Sequence, residues 1–158
     1  MDKVISLSAF GDVIKNPKGR ETETEDMGES GAYAHVFKMA LQNVAQTKLL
    51  HWQSNFYGQH KALDGLFEGL IGLTDTLAES IMGKYGKPVL NDDQCCLKIK
   101  NFENPEKGDL KDFMEHLHKC YAIDCKSLLD PERDPELLNI VDEIIALVDQ
   151  TKYLVSLR

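Results

Sequence analysis

Two imidazoles and three carboxylates follow one another between residues 51 and 79: His51, His60, Asp64, Asp75 and Glu79. A mixed nitrogen and oxygen set of this kind suits iron or another divalent first-row metal. At about 100° per residue, a helix over 57–82 places His60, Asp64, Glu68, Asp75 and Glu79 within an arc of about 100°. Asp64 and Glu68 are four apart, as are Asp75 and Glu79, so like charges repel along the stripe and only Lys61 offers relief. A divalent cation would remove that repulsion. The plainer alternative is a solvated acidic helix face, and the residues alone leave both readings open. Liganding needs deprotonated carboxylates and neutral imidazoles, so affinity should fall as pH drops toward about 5.

The elements that would position these groups are helical. Tyr33, Val36, Phe37, Ala40, Leu41, Val44 and Leu50 recur at helical spacing and predict a first helix over 31–53. A turn with Asn55 and Gly58 leads to the second, over 57–82, ended by Gly83 and Gly86. Its Leu63, Leu66, Leu70, Leu73, Leu77 and Ile81 form a core face, and Gly65, Gly69 and Gly72 occupy a third arc. Each helical glycine is worth up to ~1 kcal/mol less than alanine. Three aligned ones point to close approach of another helix, which an interface between subunits would supply.

Residues 84–108 are rich in turn formers and read as a long connection, with a short helix around 94–98. A third helix is expected over 109–129, with Leu110, Phe113, Met114, Leu117, Cys120, Tyr121 and Leu128 inward. Pro131 and Pro135 break the chain before a fourth helix that carries Leu137, Leu138, Val141, Ile144, Ile145, Val148, Leu154 and Val155. The fold expected is an all-α four-helix bundle over 31–158 with a long connection between the second and third helices. Residues 1–30, polar and ending in glycines, read as a flexible arm or a strap on a neighbouring surface.

Composition excludes several classes. The chain has 158 residues, 42% hydrophobic and 28% charged, enough for one domain with a sizeable core. A net charge of −8 disfavours nonspecific attraction to nucleic acid or anionic lipid. No apolar run approaches a membrane span, and the start lacks the pattern of a secretory signal, so a cytoplasmic protein is expected. Cys95, Cys96, Cys120 and Cys125 lack the spacing of a zinc site, and Cys120 and Cys125 lie roughly 140° apart on an α-helix. They read as reduced, mostly packed thiols. Glu115-x-x-His118 invites an intrasubunit di-iron site, which needs a second such motif and a Glu on the first helix; 31–53 has none. His116 and Cys120 have nucleophile-pair spacing but no orienting partner. His35 reads as a packed or surface histidine. Phosphate loops, GxSxG and HExxH are absent.

The segment His51-Trp52, His60-Lys-Ala-Leu-Asp64, Asp75-Thr-Leu-Ala-Glu79 resembles the motif of the Dps family, the miniferritins of the ferritin-like superfamily. The similarity covers about thirty residues, and the helix layout is compatible over 31–158. It implies that His51, His60 and Asp64 come from one subunit and Asp75 and Glu79 from its partner, with Glu79 placed to bridge two irons and Glu68 feeding iron inward. It also implies Fe(II) oxidation by peroxide or oxygen, storage of Fe(III) in a homo-oligomer (a dimer at least, a dodecamer in that family), and protection against oxidative damage. Trp52 would pack beside the site and quench reactive species. Zinc or manganese are other possible occupants, since affinity order alone favours zinc over Fe(II).

Two departures stand out. His51 and His60 are nine apart where the family pattern has about three more residues, which puts the reach of His51 in question. The shortened turn looks similar to miniferritin relatives of large phages and viruses, which would place the protein in a host cytoplasm or a virion. The lysine-rich tail through which some members hold DNA is missing, so DNA binding by that route is not expected. The competing expectation is a catalytically inactive ferritin-like bundle that serves as a structural or interaction module.

Overall fold

The computed structural model describes residues 29–91, 95–104 and 108–157, and they hold four helices and no strand. Helix α1 is Glu29–Gln53, α2 Tyr57–Tyr85, α3 Leu110–Lys119 and α4 Pro135–Ser156. The class is all-α, as expected. Of the proposed arm, residues 1–28 lie outside the described residues, whereas 29 and 30 already belong to α1. The first helix therefore contains a glutamate after all, at its first position.

The leucine face of α2 builds the core. Leu63, Leu66, Leu70, Leu77 and Ile81 are all essentially inaccessible, with Leu73 partly buried against them. Helix α2 packs on both α1 and α4, and α4 also packs on α3. Lys126–Asp142 at 2.5 Å and His118–Asp149 at 3.9 Å join α3 and its continuation to α4 in antiparallel order. A Cβ on Gly69 would collide with the Leu147 side chain, while nothing lies near Gly65 or Gly72. The close approach at Gly69 is thus made by α4 of the same chain, not by another subunit.

The third helix departs from the regular winding expected over 109–129. Past Lys119 it becomes π-helical over Cys120–Cys125 and then 3-10 over Lys126–Leu128. An i to i+5 turn carries one residue more than an α-turn and resets the facing of the residues beyond it. Hence Leu129 is buried and Leu128, expected inside, is exposed. The same winding brings Cys120 and Cys125 toward one face instead of 140° apart, and both are buried and reduced.

The connection after α2 is held by glutamines. Of the helix expected around 94–98, residue 94 lies outside the described residues, as do 92 and 93. Cys96–Lys98 are not helical. The Lys98 N–H instead donates to Gln42 Oε1 at 3.4 Å, Lys100 N–H to Gln46 Oε1 at 2.8 Å and Phe102 N–H to Gln53 Oε1 at 2.9 Å. Gln46 Nε2 also donates to the Lys100 carbonyl at 2.7 Å, so this buried amide mimics a strand partner. Gln46→Ala is expected to cost on the order of 2 kcal/mol, from two lost hydrogen bonds. It should also speed amide exchange at Lys100 and Phe102 while α1 and α2 stay protected, which hydrogen-exchange mass spectrometry would read.

The far end of α2 is anchored by a buried carboxylate. Asp134, fully inaccessible, receives the Tyr85 hydroxyl and the Lys84 ammonium on Oδ1, and the Asp130 N–H on Oδ2 at 2.9 Å. Tyr33 of α1 stacks on Tyr85 with centroids 4.6 Å apart. One residue of the α3–α4 turn thus fastens three helices.

Candidate metal-binding site

The end of α1 and the start of α2 bring His51, His60 and Asp64 together. His51 is buried in the last turn of α1, and His60 and Asp64 are half-buried in the first two turns of α2. The two rings lie face to face with centroids 3.9 Å apart, tilted by 31°. Nδ1 of His51 bonds to the His60 carbonyl at 3.0 Å, and Nδ1 of His60 bonds to the His51 carbonyl at 3.0 Å. A carbonyl oxygen only accepts, so each Nδ1 carries the proton, and each neutral ring keeps its lone pair on Nε2. That tautomer is the one a histidine needs to bind a cation through Nε2. The short turn does not hold His51 away: the two rings brace each other across it.

His51 Nε2 stands 3.6 Å from Asp64 Oδ1. This is too long for a hydrogen bond. It does suit two atoms sharing one ion, since metal bonds of about 2.1 Å leave neighbouring ligand atoms roughly 3 to 4 Å apart. Asp64 is neutralised by two lysines. Lys61 Nζ lies 3.3 Å from Oδ2 and Lys48 Nζ 3.6 Å from Oδ1. The Lys61 hydrogen bond, against a smaller opposing effect of burial and with His51 and Lys48 assisting, holds the Asp64 carboxyl below its ordinary value.

Sequence reasoning missed Lys48. Its signal was available: it precedes His51 by three residues and so shares its face of α1. Its ammonium sits over the Phe67 ring at 4.3 Å, which steers it toward Asp64. Lys48→Met removes a competing cation and is expected to tighten binding of a divalent probe such as Co(II) by roughly tenfold. Isothermal titration would read this, and weaker binding would show that Lys48 supports the site.

The remaining candidates lie elsewhere in one chain. Glu68, Asp75 and Glu79 are exposed on α2. Asp75 and Glu79 follow Asp64 by eleven and fifteen residues, roughly 16 and 22 Å along the axis. Among the described residues no group of three or more His, Cys, Asp or Glu is gathered closely enough to hold an ion. Trp52, expected to pack beside the site, is 68% exposed, because the last turn of α1 directs it outward. Asp75 borders an apolar groove of about 240 Å³ between α1 and α2, lined by Val36, Phe37, Leu41 and Ile71 among others.

The His116–Cys120 pair does form, with Sγ 3.4 Å from Nε2. Burial pushes the thiol up to about 11 and the imidazole down, so neither ionises readily and an activated nucleophile is not made. Glu115 is exposed, and His118 is half-exposed toward Asp149.

A family model described as "Family of unknown function (DUF5856)" matches residues 51–155. The chain belongs to the DUF5856 family. The match begins at His51 itself, so the DUF5856 region contains every candidate ligand and excludes nearly all of α1, including Lys48. No curated protein and no solved structure matches the chain. No helix among the described residues is long and apolar enough to cross a membrane.

Proposed function

We infer that this DUF5856 protein binds and oxidises Fe(II) at a site shared between two subunits of a ferritin-like bundle, in the manner of the Dps family that residues 51–79 resemble. The observation that carries the reading is the pair of reciprocal Nδ1–carbonyl bonds, which leaves an Nε2 lone pair of His51 facing Asp64 at 3.6 Å. His51, His60 and Asp64 would supply one half of the donor set, and Asp75 and Glu79 of a second copy the other half. The separation of these two groups along α2 supports a shared site, because one chain cannot gather them. The apolar groove beside Asp75 supports burial of that face by a second copy.

The donor set fits iron, and Fe(II) is substrate here. Each of two Fe(II) ions would give one electron to hydrogen peroxide; its O–O bond breaks, and two protons complete two waters. The protein would hold the ions, keep both histidines in the binding tautomer, and pass Fe(III) to storage. Anaerobic Fe(II) loading followed by peroxide, monitored by absorbance, tests this against Asp75→Ala/Glu79→Ala. Stoichiometric oxidation of about two irons per site, lost in the double variant with the oligomer intact, is the expected result. Equal rates with and without protein would overturn it.

A specific observation favours the second reading, an inactive bundle with a structural role. Asp64 is already satisfied by two ammonium groups. If those pairs are the purpose of the stripe, Co(II) titration will show no site at all.

A further inference from the structure

Two of the four thiols are not packed. Cys120 and Cys125 are buried, and burial pushes them up to about 11 and about 12, so neither forms a thiolate readily. Cys95 and Cys96 are exposed and adjacent in the chain. Within a helix or a strand, neighbouring side chains diverge by about 100° or point to opposite faces. Here Cys95 is helical and Cys96 is not, so the pair straddles the end of regular structure. The Cys95 N–H donates to the Asn91 carbonyl at 3.0 Å, and the Lys98 N–H to Gln42 Oε1 at 3.4 Å. Cys96 and Leu97 lie between these two anchors, exposed and non-helical, where the backbone has room to turn.

A disulfide between chain neighbours closes a small ring through one peptide bond. Adjacent Cα atoms stand about 3.8 Å apart across a trans peptide, below the roughly 4.4–6.8 Å usual for a disulfide. Such a bond is strained, and strained, exposed disulfides are the readily reduced ones. The pair therefore suits cycling rather than holding the fold together. Adjacency also gives each sulfur the other as a resolving partner at high effective concentration, ahead of any second molecule. The two sulfurs are not equivalent: the Cys95 S–H donates weakly to the Leu90 carbonyl, with Sγ at 3.9 Å.

We propose that Cys95 and Cys96 form a reversible dithiol–disulfide couple that reduces hydrogen peroxide, with Cys96 attacking and Cys95 resolving. The Cys96 sulfur attacks one peroxide oxygen and the O–O bond breaks. The thiol proton goes to the departing oxygen, which leaves a sulfenic acid and one water. The Cys95 sulfur then attacks the Cys96 sulfur, the S–S bond forms, and the hydroxyl leaves with the Cys95 proton as a second water. Two thiols lose two electrons and one peroxide gains them. A small dithiol reductant restores both thiols by exchange. No iron takes part, so failure of this couple leaves the ferroxidase reading standing, and failure of that reading leaves the couple.

Peroxide titration of the full-length protein, with iron removed by a chelator, tests it. Alkylation and peptide mass should show a disulfide within one chain between Cys95 and Cys96, with Cys120 and Cys125 still thiols. Added dithiothreitol should return both thiols. In Cys95→Ser, dimedone should trap a sulfenic acid on Cys96, and Cys96→Ser should consume peroxide roughly tenfold more slowly than wild type. Disulfides formed only between chains, or sulfinic acid formed with no disulfide, would overturn the proposal. Peroxide consumption at the wild-type rate in Cys96→Ser would overturn it as well.

Discussion

Asp134→Ala is expected to lower the unfolding free energy by on the order of 3 kcal/mol, the largest effect of any single side chain outside the apolar core. The carboxylate has no access to water and accepts from Tyr85, Lys84 and the Asp130 N–H. Its loss leaves the half-buried Tyr85 hydroxyl without its acceptor and opens the turn before α4. Burial by itself would raise this group, but the Lys84 and Tyr85 hydrogen bonds outweigh it and hold the carboxyl down to about 2. A carboxyl depressed in the folded state contributes fully above its unfolded value near 4, and that contribution is lost between about 4 and about 2 as pH falls. Urea titrations from pH 6 to pH 2 should show the wild-type advantage over the variant shrinking across that interval. Glu136→Ala, which touches the same lysine from an exposed position, should change little. If Asp134→Ala unfolds at the wild-type urea midpoint at pH 6, the clamp is not what holds α2 to the α3–α4 turn.

Asp64→Asn should produce the converse pattern: stability nearly unchanged and metal binding lost. Its partners Lys48 and Lys61 reach it from partly exposed stems, so breaking those pairs costs little. As a ligand, however, it supplies the carboxylate facing His51 Nε2, and its neutralisation should weaken Co(II) binding by on the order of a hundredfold or more. Cobalt titration beside a thermal melt separates the two roles. Undiminished binding would remove Asp64 from the site, whereas a fall in melting temperature would assign it to the packing.

The helices and the core face of α2 could be read from periodicity because burial there depends on local spacing. Leu63 to Ile81 recur every three or four residues, and no distant contact is needed to place them. The meeting of His51 with His60 and Asp64 was legible only in part, since the nine-residue separation left the reach of His51 in question until the contacts across the turn were placed. What stayed hidden depended on partners remote in sequence. Gln42 and Gln46 look like ordinary polar residues of α1 until a segment some fifty residues later is laid beside them. Asp134 announces an N-terminal helix cap by preceding Pro135, yet its side chain caps nothing and turns toward Lys84 and Tyr85. The π-helical stretch was illegible because one extra residue in a turn leaves no local pattern, and it cost the correct facing of Leu128 and Leu129. Lys48 shares a helix face with His51, but its pairing with Asp64 depends on how α1 packs on α2.

The imidazole stack has a consequence for how this region can vary. Each ring ties its own helix to the main chain of the other, so two cross-braces fasten α1 to α2 independently of Ser54, Asn55 and Phe56. Length in the intervening turn is thereby uncoupled from the placement of the donors. Residues can be gained or lost at the apex, and the bend will close to the same angle while both braces survive. The nine-residue spacing is then a neutral variable, and the pair of carbonyl contacts is the constraint on which selection would act.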